Sequence, residues 1–381
     1  MKILIIDSLY PPLLEELGYL KEPASGEVYE VLTKELDGHK YGSGAMLAQE
    51  LINLGNHSEV VYANSFRSQL TWARSRGLKL KTHRILWKYW QHISRLPVLG
   101  LLLHRKSALM GILLSQISEY KPDVIYSLNM NLMDSKTLKR IKSLGVVPIA
   151  QHASPIPPKV FFSDYDHIFS AHPGQVVYFQ KQAISSSHLP LAFDLEQFQR
   201  MELKGWPERS REITFVGTFG RHQKNTGPLM SAIAKKFPGF ELFTLSSKSV
   251  LKKFGLIGNW RGSAWGRSMY EVLAESKIVI NRHGPIAQGY SVNYRMFEAT
   301  GMGALLLTEE SLNIAELFEP NSEILTYSSV EDLLEKIDFA RANPDALRSI
   351  AKAGQQKTLG THTFANRARA VHNLLERKLG A

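Results

Sequence analysis

Residues 275–309, ESKIVINRHGPIAQGYSVNYRMFEATGMGALLLTE, constrain the fold of this chain more than any other stretch. The short apolar run Lys277–Ile280 predicts a buried parallel strand. A polar loop, Asn281–Gly289, follows it. Val292–Thr300 then reads as a helix with Ser291 as its N-cap. Gly301 suits the left-handed position after that helix, and 303–308 returns as a second buried strand. Strand, loop, helix, glycine turn and strand make one βαβ unit, the building block of a parallel sheet. In open α/β sheets, ligands bind beyond the carboxyl ends of the strands, where helix N-termini favour anions. Asn293, Arg295 and Glu298 therefore stand where a diphosphate and a ribose could be held. An ordinary βαβ unit with a surface Arg–Glu pair fits the local pattern equally well.

The rest of the chain repeats this grammar. Lys2–Ile6 predicts a first buried strand, too short and too soon acidic for a signal peptide. A long loop follows, through Pro11-Pro12 to Gly42-Ser43-Gly44, and enters a helix at 45–54. Strands are expected at 59–63, 124–128, 146–150, 167–170 and 188–192, with helices at 107–120 and 135–143 between them. Asp194–Arg211 is polar and aperiodic, and reads as a linker. A strand at 212–216 then runs into Gly217-Thr218-Phe219-Gly220-Arg221. Glycines at a strand end let the backbone approach a ligand, and the cations Arg221 and Lys224 lie in or just after this turn. This turn lacks the Gly-Lys-Ser/Thr of a Walker loop and the full GxGxxG pattern. Further strands are expected at 240–245 and 323–327, and amphipathic helices at 330–340 and 344–354.

Composition narrows the class. The chain has 381 residues, enough for two domains of ordinary size, and 44% of them are hydrophobic, as in globular proteins. It contains no cysteine, which excludes disulfides and thiolate metal sites and suits a reducing cytosol. The apolar patch 96–103 is half a membrane span at most, so no transmembrane helix is expected. Net charge is +11, and no acidic residue lies between Glu59 and Glu119. That interval holds ten Lys or Arg, together with Trp72, Trp87 and Trp90. Such a segment, 66–106, reads either as a surface for anionic membrane or as a solvated basic helix pair with tryptophans in the core. Nucleic acid is not expected as a partner, because no motif supports it beyond charge. Asp164-Tyr165-Asp166 matches the Asp-x-Asp string of metal-dependent sugar transfer, but lies far from the 275–309 unit and is read as incidental.

The 275–309 stretch resembles the donor-nucleotide signature of GT-B glycosyltransferases, and in particular the branch with the spore-protein (CgeB-type) glycosyltransferase-like domains. The matching elements are Asn281, His283-Gly284, Arg295-Met296-Phe297-Glu298-Ala299 and Gly301-Met302-Gly303. The resemblance implies an α/β fold of two Rossmann-like domains facing each other across a cleft. Residues 1–193 would bind the acceptor, 194–211 would link, and 212–360 would bind the nucleotide sugar. The C-terminal helix, within 361–381, would cross back to the first domain. It implies transfer of a sugar from a UDP- or GDP-sugar to a lipid-linked or surface-glycan acceptor, with neither metal nor cofactor, at a cytoplasmic or inner-membrane site. Glu298 would bind the ribose. Gly217, Thr218, Arg221, Asn281, His283, Asn293 and Arg295 would complete the donor site. His152, at the end of its strand, would serve the sugar or act as base. In the wider superfamily a second glutamate precedes the first by eight positions; here that position is Tyr290. The alternative is a non-catalytic nucleotide- or glycan-binding protein that keeps the fold.

Overall fold

The computed structural model describes residues 1–39, 42–78, 108–130, 132–154, 156, 162–201, 203, 205–219 and 225–380. The chain divides into two compact units. The first comprises 1–170, 174–188 and 371–381; the second comprises 171–173 and 189–370. Each is built on one parallel sheet.

The first sheet contains β1 (Lys2–Asp7), β2 (His57–Tyr62), β3 (Val124–Ser127), β4 (Val147–His152), β5 (His167–Ser170) and β6 (Ser186–His188), in the order β2-β1-β3-β4-β5-β6. All of its pairings are parallel. The near-continuous apolar run of β1 is what a strand covered on both faces requires, and Ile3 to Ile6 are buried. One face carries a core of Leu4, Ile6, Ile125, Leu138, Ile141, Phe162 and Phe179. The last strand lies at 186–188, a few residues before the expected 188–192. The long loop after β1 is not structureless: it forms the helices Pro11–Glu16 and Tyr29–Gly38.

Gly42-Ser43-Gly44 enters the helix Gly44–Asn53, and the amides of Ser43 and Gly44 are already used. The Asp7 carboxylate accepts from Gly44 N at 2.9 Å and also from the amides of Ser8 and Ser43. A Cβ on Gly44 would lie 2.7 Å from that carboxylate, so only glycine lets the two meet. Burial pushes the Asp7 carboxyl up, and the three amide bonds oppose it.

Part of the basic segment is visible as the helix Phe66–Ser75. Trp72 is buried in a satellite core with Phe66, Leu70 and Ile112. Arg67, Arg74 and Arg76 pair with Glu27, Glu22 and Glu119. For this portion the interior-tryptophan reading holds. Residues 79–106, with Trp87, Trp90 and the remaining cations up to Lys106, lie outside the described residues.

The second sheet contains β7 (Arg211–Val216), β8 (Phe240–Phe243), β9 (Ser276–Asn281), β10 (Leu305–Glu309) and β11 (Leu325–Tyr327), ordered β11-β10-β9-β7-β8. Strand order reverses between β7 and β9, which creates a switch point at their carboxyl ends. The core of one face holds Ile213, Phe215, Phe237, Phe240, Ile278, Leu305 and Leu333. Each such buried side chain contributes about 1.5–3 kcal/mol. Residues 194–211 lie within this second unit. They include the helix Leu195–Arg200, capped by Asp194, whose carboxylate accepts from Glu196 N at 3.2 Å. Among the described residues, no helix is long and apolar enough to cross a membrane.

Candidate nucleotide site of the second unit

The site grows from the carboxyl ends of β7, β9 and β10. The helix expected at 292–300 begins later, at Arg295, and runs to Gly301. Ser291 is not its cap. The Ser291 amide donates to Asn313 Oδ1 at 2.7 Å, and its hydroxyl lies 3.0 Å from His283 Nε2. Asn293 is nearer to a capping role, accepting from Met296 N at 3.4 Å. Gly301 is the last helical residue, and the left-handed turn falls at Gly303, with φ +74°. What demands glycine at 301 is packing: a Cβ there would lie 2.6 Å from the Phe193 ring.

Arg295 and Glu298 are one helical turn apart and form an ion pair, Nη1 to Oε2 at 2.7 Å. Arg295 also donates from Nε to the carbonyl oxygen of Val216 at 3.1 Å. Val216 ends β7, and Gly217 follows it. The guanidinium thus stands at the start of the Gly217–Thr218 turn, joining two regions that the sequence offers as separate candidates. That turn is itself pinned: Gly217 N donates to Phe243 O at 3.0 Å, and Phe219 N donates to Ser246 Oγ at 3.1 Å. Thr218 is exposed at its tip. Arg221, with Gly220, His222 and Lys224, lies outside the described residues.

Glu298 is poorly solvated. Burial pushes its carboxyl up, and the Arg295 charge and then the neighbouring Tyr270 hydroxyl oppose this. Tyr270 lies on the helix Gly266–Glu275 and is itself buried. Nothing in the sequence singled it out, because a tyrosine at an apolar helix position reads as core.

Asn281 and His283 serve a different network. Asn281 is buried at the end of β9; its side chain donates to Thr308 Oγ1 of β10 at 2.9 Å, and its carbonyl accepts from Tyr327 Oη at 2.9 Å. It therefore ties three neighbouring strand ends together. The Asn293 side-chain nitrogen is oriented by the Arg282 carbonyl, 3.0 Å away, and lies 3.2 Å from His283 Nδ1. Nδ1 then accepts, so the proton sits on Nε2, facing Ser291 Oγ at 3.0 Å and Thr308 Oγ1 at 3.2 Å. Burial, with Arg282 nearby, lowers the His283 pKa to about 4, so the ring is neutral at pH 7. Arg282 pairs with Glu309 at 2.8 Å.

A pocket of about 890 Å³ opens beside this network, lined by Asn225, Arg282, His283, Glu309, Tyr327 and Ser329 among others. Arg295 and Glu298 are not in its lining. His283 borders the pocket and, through Asn293, adjoins the helix that carries the Arg–Glu pair.

His152 belongs to the first unit, at the end of β4, where it pairs with Ser170 of β5. Its ring is buried against Phe162 and Phe179, with centroids at 6.1 and 6.5 Å. In the Asp164-Tyr165-Asp166 string, Asp166 pairs with Lys142 at 3.1 Å. Among the described residues, no group of three or more His, Asp or Glu side chains is arranged to hold a metal ion.

Residues 229–373, which include β8 to β11 and the Arg295–Glu298 helix, match the family described as glycosyl transferase-like. No curated protein matches the chain by sequence. Several solved structures match it in fold. A sucrose-phosphate synthase from Thermosynechococcus elongatus matches with a TM-score of 0.60 and 10% identity, over 99% of each chain. A glycosyltransferase from Rickettsia africae matches with a TM-score of 0.62 and 11% identity, over 99% of this chain and 98% of that one. Anabaena HepE in complex with UDP-glucose gives 0.61 and 10%, over 99% and 100%. At these identities the likeness is one of fold.

Proposed function

We propose, from the premise that this chain is a glycosyltransferase of the GT-B fold, that its second unit binds a UDP- or GDP-sugar through Arg295 and Glu298. The observation that carries this reading is the Arg295 guanidinium, which joins the Val216 carbonyl to the Glu298 carboxylate at the sheet's switch point. A carboxylate there accepts from ribose hydroxyls. The guanidinium offsets diphosphate charge, so departure of the nucleoside diphosphate needs no metal in this reading. UDP and UDP-glucose are bound in the HepE structures, which supports a uridine donor. His152 is proposed to hydrogen-bond the transferred sugar or to take the acceptor's proton. Asn281 and His283 are proposed to shape the donor site through the strand-end network. The acceptor is proposed to be a lipid-linked or surface glycan. The basic, tryptophan-bearing composition of 79–106 supports peripheral contact with anionic membrane on the cytoplasmic side.

Calorimetric titration of UDP and GDP into wild type and Glu298→Ala tests the donor assignment. Loss of binding in the variant is expected, and unchanged affinity rejects it. A second reading, a binding protein without catalysis, is favoured by Tyr290 at the position where related enzymes carry a glutamate. Hydrolysis or transfer of the bound donor by purified protein separates the two.

A further inference from the structure

We propose that the outer edge of the second sheet docks on an anionic lipid bilayer, with Lys248, Lys252 and Lys253 meeting lipid phosphates and Leu245 and Ile257 entering the headgroup layer. The surface belongs to the second unit and draws on none of residues 79–106. β8 is the last strand of its sheet. Beyond it the chain runs through Leu245, the helix Lys248–Lys253 and the turn Ile257–Asn259. It returns to β8 at Trp260, which bridges to Leu242. The Trp260 ring is fixed there, its Nε1 donating to Thr244 O at 3.2 Å. Both ends of this excursion are therefore held at one sheet edge.

From Leu242 to Tyr270 the sequence holds five Lys or Arg and no acidic residue. The two arginines are offset by flanking carboxylates: Arg261 pairs with Glu241 at 3.0 Å, and Arg267 with Glu271 at 3.1 Å. The three lysines are exposed, and among the described residues none of them pairs with a carboxylate. Other surface cations of this unit do pair, as Lys236 does with Asp338 and Arg341 with Glu212. The lysine stems lie on aromatic rings. Lys248 Nζ stands 5.7 Å from the Trp260 ring centroid, and Lys253 Nζ stands 5.5 Å from that of Phe254. Such stems follow apolar surface while the ammonium stays in a polar layer. Leu245 and Ile257 are 47% and 46% exposed. One exposed aliphatic residue needs no explanation. Two of them beside unpaired lysines and aromatic faces have the composition of a membrane interface, with apolar tips for the acyl boundary and cations for the phosphates. A nucleic acid would leave both tips in water, which favours the bilayer as the occupant.

The test uses the full chain, whose lack of cysteine lets Ile257→Cys carry a single environment-sensitive fluorophore. Vesicles of phosphatidylcholine alone, and of phosphatidylcholine with phosphatidylglycerol, are added, and sedimentation measures binding alongside the emission. The label should shift to the blue with the anionic vesicles and not with the neutral ones. Lys252→Gln combined with Lys253→Gln should weaken binding to the anionic vesicles roughly thirtyfold, the effect of two cations at a lipid surface. Unchanged affinity in that variant overturns the proposal. So does protein that sediments with the vesicles while the label stays in water, which assigns membrane contact to another segment such as 79–106. Protein that does not sediment overturns both surfaces. A label that responds to soluble polyphosphate or poly-L-glutamate but not to vesicles also overturns it, and marks an acidic macromolecule as the partner.

Discussion

Arg295 Nε lies 3.1 Å from the carbonyl oxygen of Val216, 79 residues earlier in the chain. One guanidinium thereby connects the end of β7 to the first turn of the helix that follows β9. This use of a forked, planar cation has a direct consequence for substitution.

Arg295→Lys keeps the charge but cannot span Val216 and Glu298 together. It should weaken nucleoside diphosphate binding by about tenfold. Arg295→Ala should do more, and should also cost about 2–3 kcal/mol of stability, because a poorly solvated Glu298 loses its counter-ion. Calorimetry and urea unfolding measure the two effects separately.

Stability should fall on mild acidification. His167, His283 and His362 are buried rings whose pKa values burial lowers to about 4. Between about pH 6.5 and pH 4 the unfolded chain binds protons that these folded rings refuse. Their contribution is therefore full above pH 6.5 and is lost as pH falls towards 4, on the order of 2 kcal/mol per ring. Glu298 and Asp7 have raised values, and their sign is opposite: each favours the fold below its unfolded value and ceases to do so as pH rises through the folded one. The urea midpoint should drop between pH 7 and 4.5, and His167→Phe should make the slope shallower.

Two glycines should respond oppositely to alanine. At Gly301 the added carbon meets the Phe193 ring at 2.6 Å, which predicts a loss of about 1–3 kcal/mol. At Gly360, inside the helix Pro344–Thr361, nothing lies within 4 Å of the new carbon. Gly360→Ala should gain about 0.5–1 kcal/mol from helix propensity alone. Thermal melts of the two variants measure the contrast.

Arg367 is buried, and donates to the carbonyls of Leu191 at 2.8 Å and Thr361 at 3.0 Å, as well as to that of Pro190. Burial lowers its pKa to about 10, so it stays charged at neutral pH. Arg367→Leu strands these carbonyls and should cost about 3 kcal/mol or more. A melting temperature within a degree or two of wild type would contradict this.

The strands were the most legible part of the sequence. Ser276–Asn281 and Leu305–Glu309 stand out because parallel strands covered on both faces need unbroken apolar runs. The start of the Arg295 helix was less so. Ser291 has the chemistry of a cap, but its amide and hydroxyl are taken by Asn313 and His283, partners that no local rule foresees. Gly301 and Gly303 are two residues apart, and the sequence alone does not say which turns left-handed and which yields to a ring. The Arg295–Glu298 ion pair was readable from its spacing of three. The bridge from the Asn281 side chain to Thr308 on the neighbouring strand is a contact that the sequence does not foretell.

The Asp7 carboxyl has one more implication. In many α/β units, the amides that begin the helix after the first strand await an incoming phosphate. Here the chain fills that seat itself, through Gly44, Ser43 and Ser8. At the end of β1 these three amides are already taken by an acidic side chain. The amides of Ser43 and Gly44 are therefore not on offer to an anion.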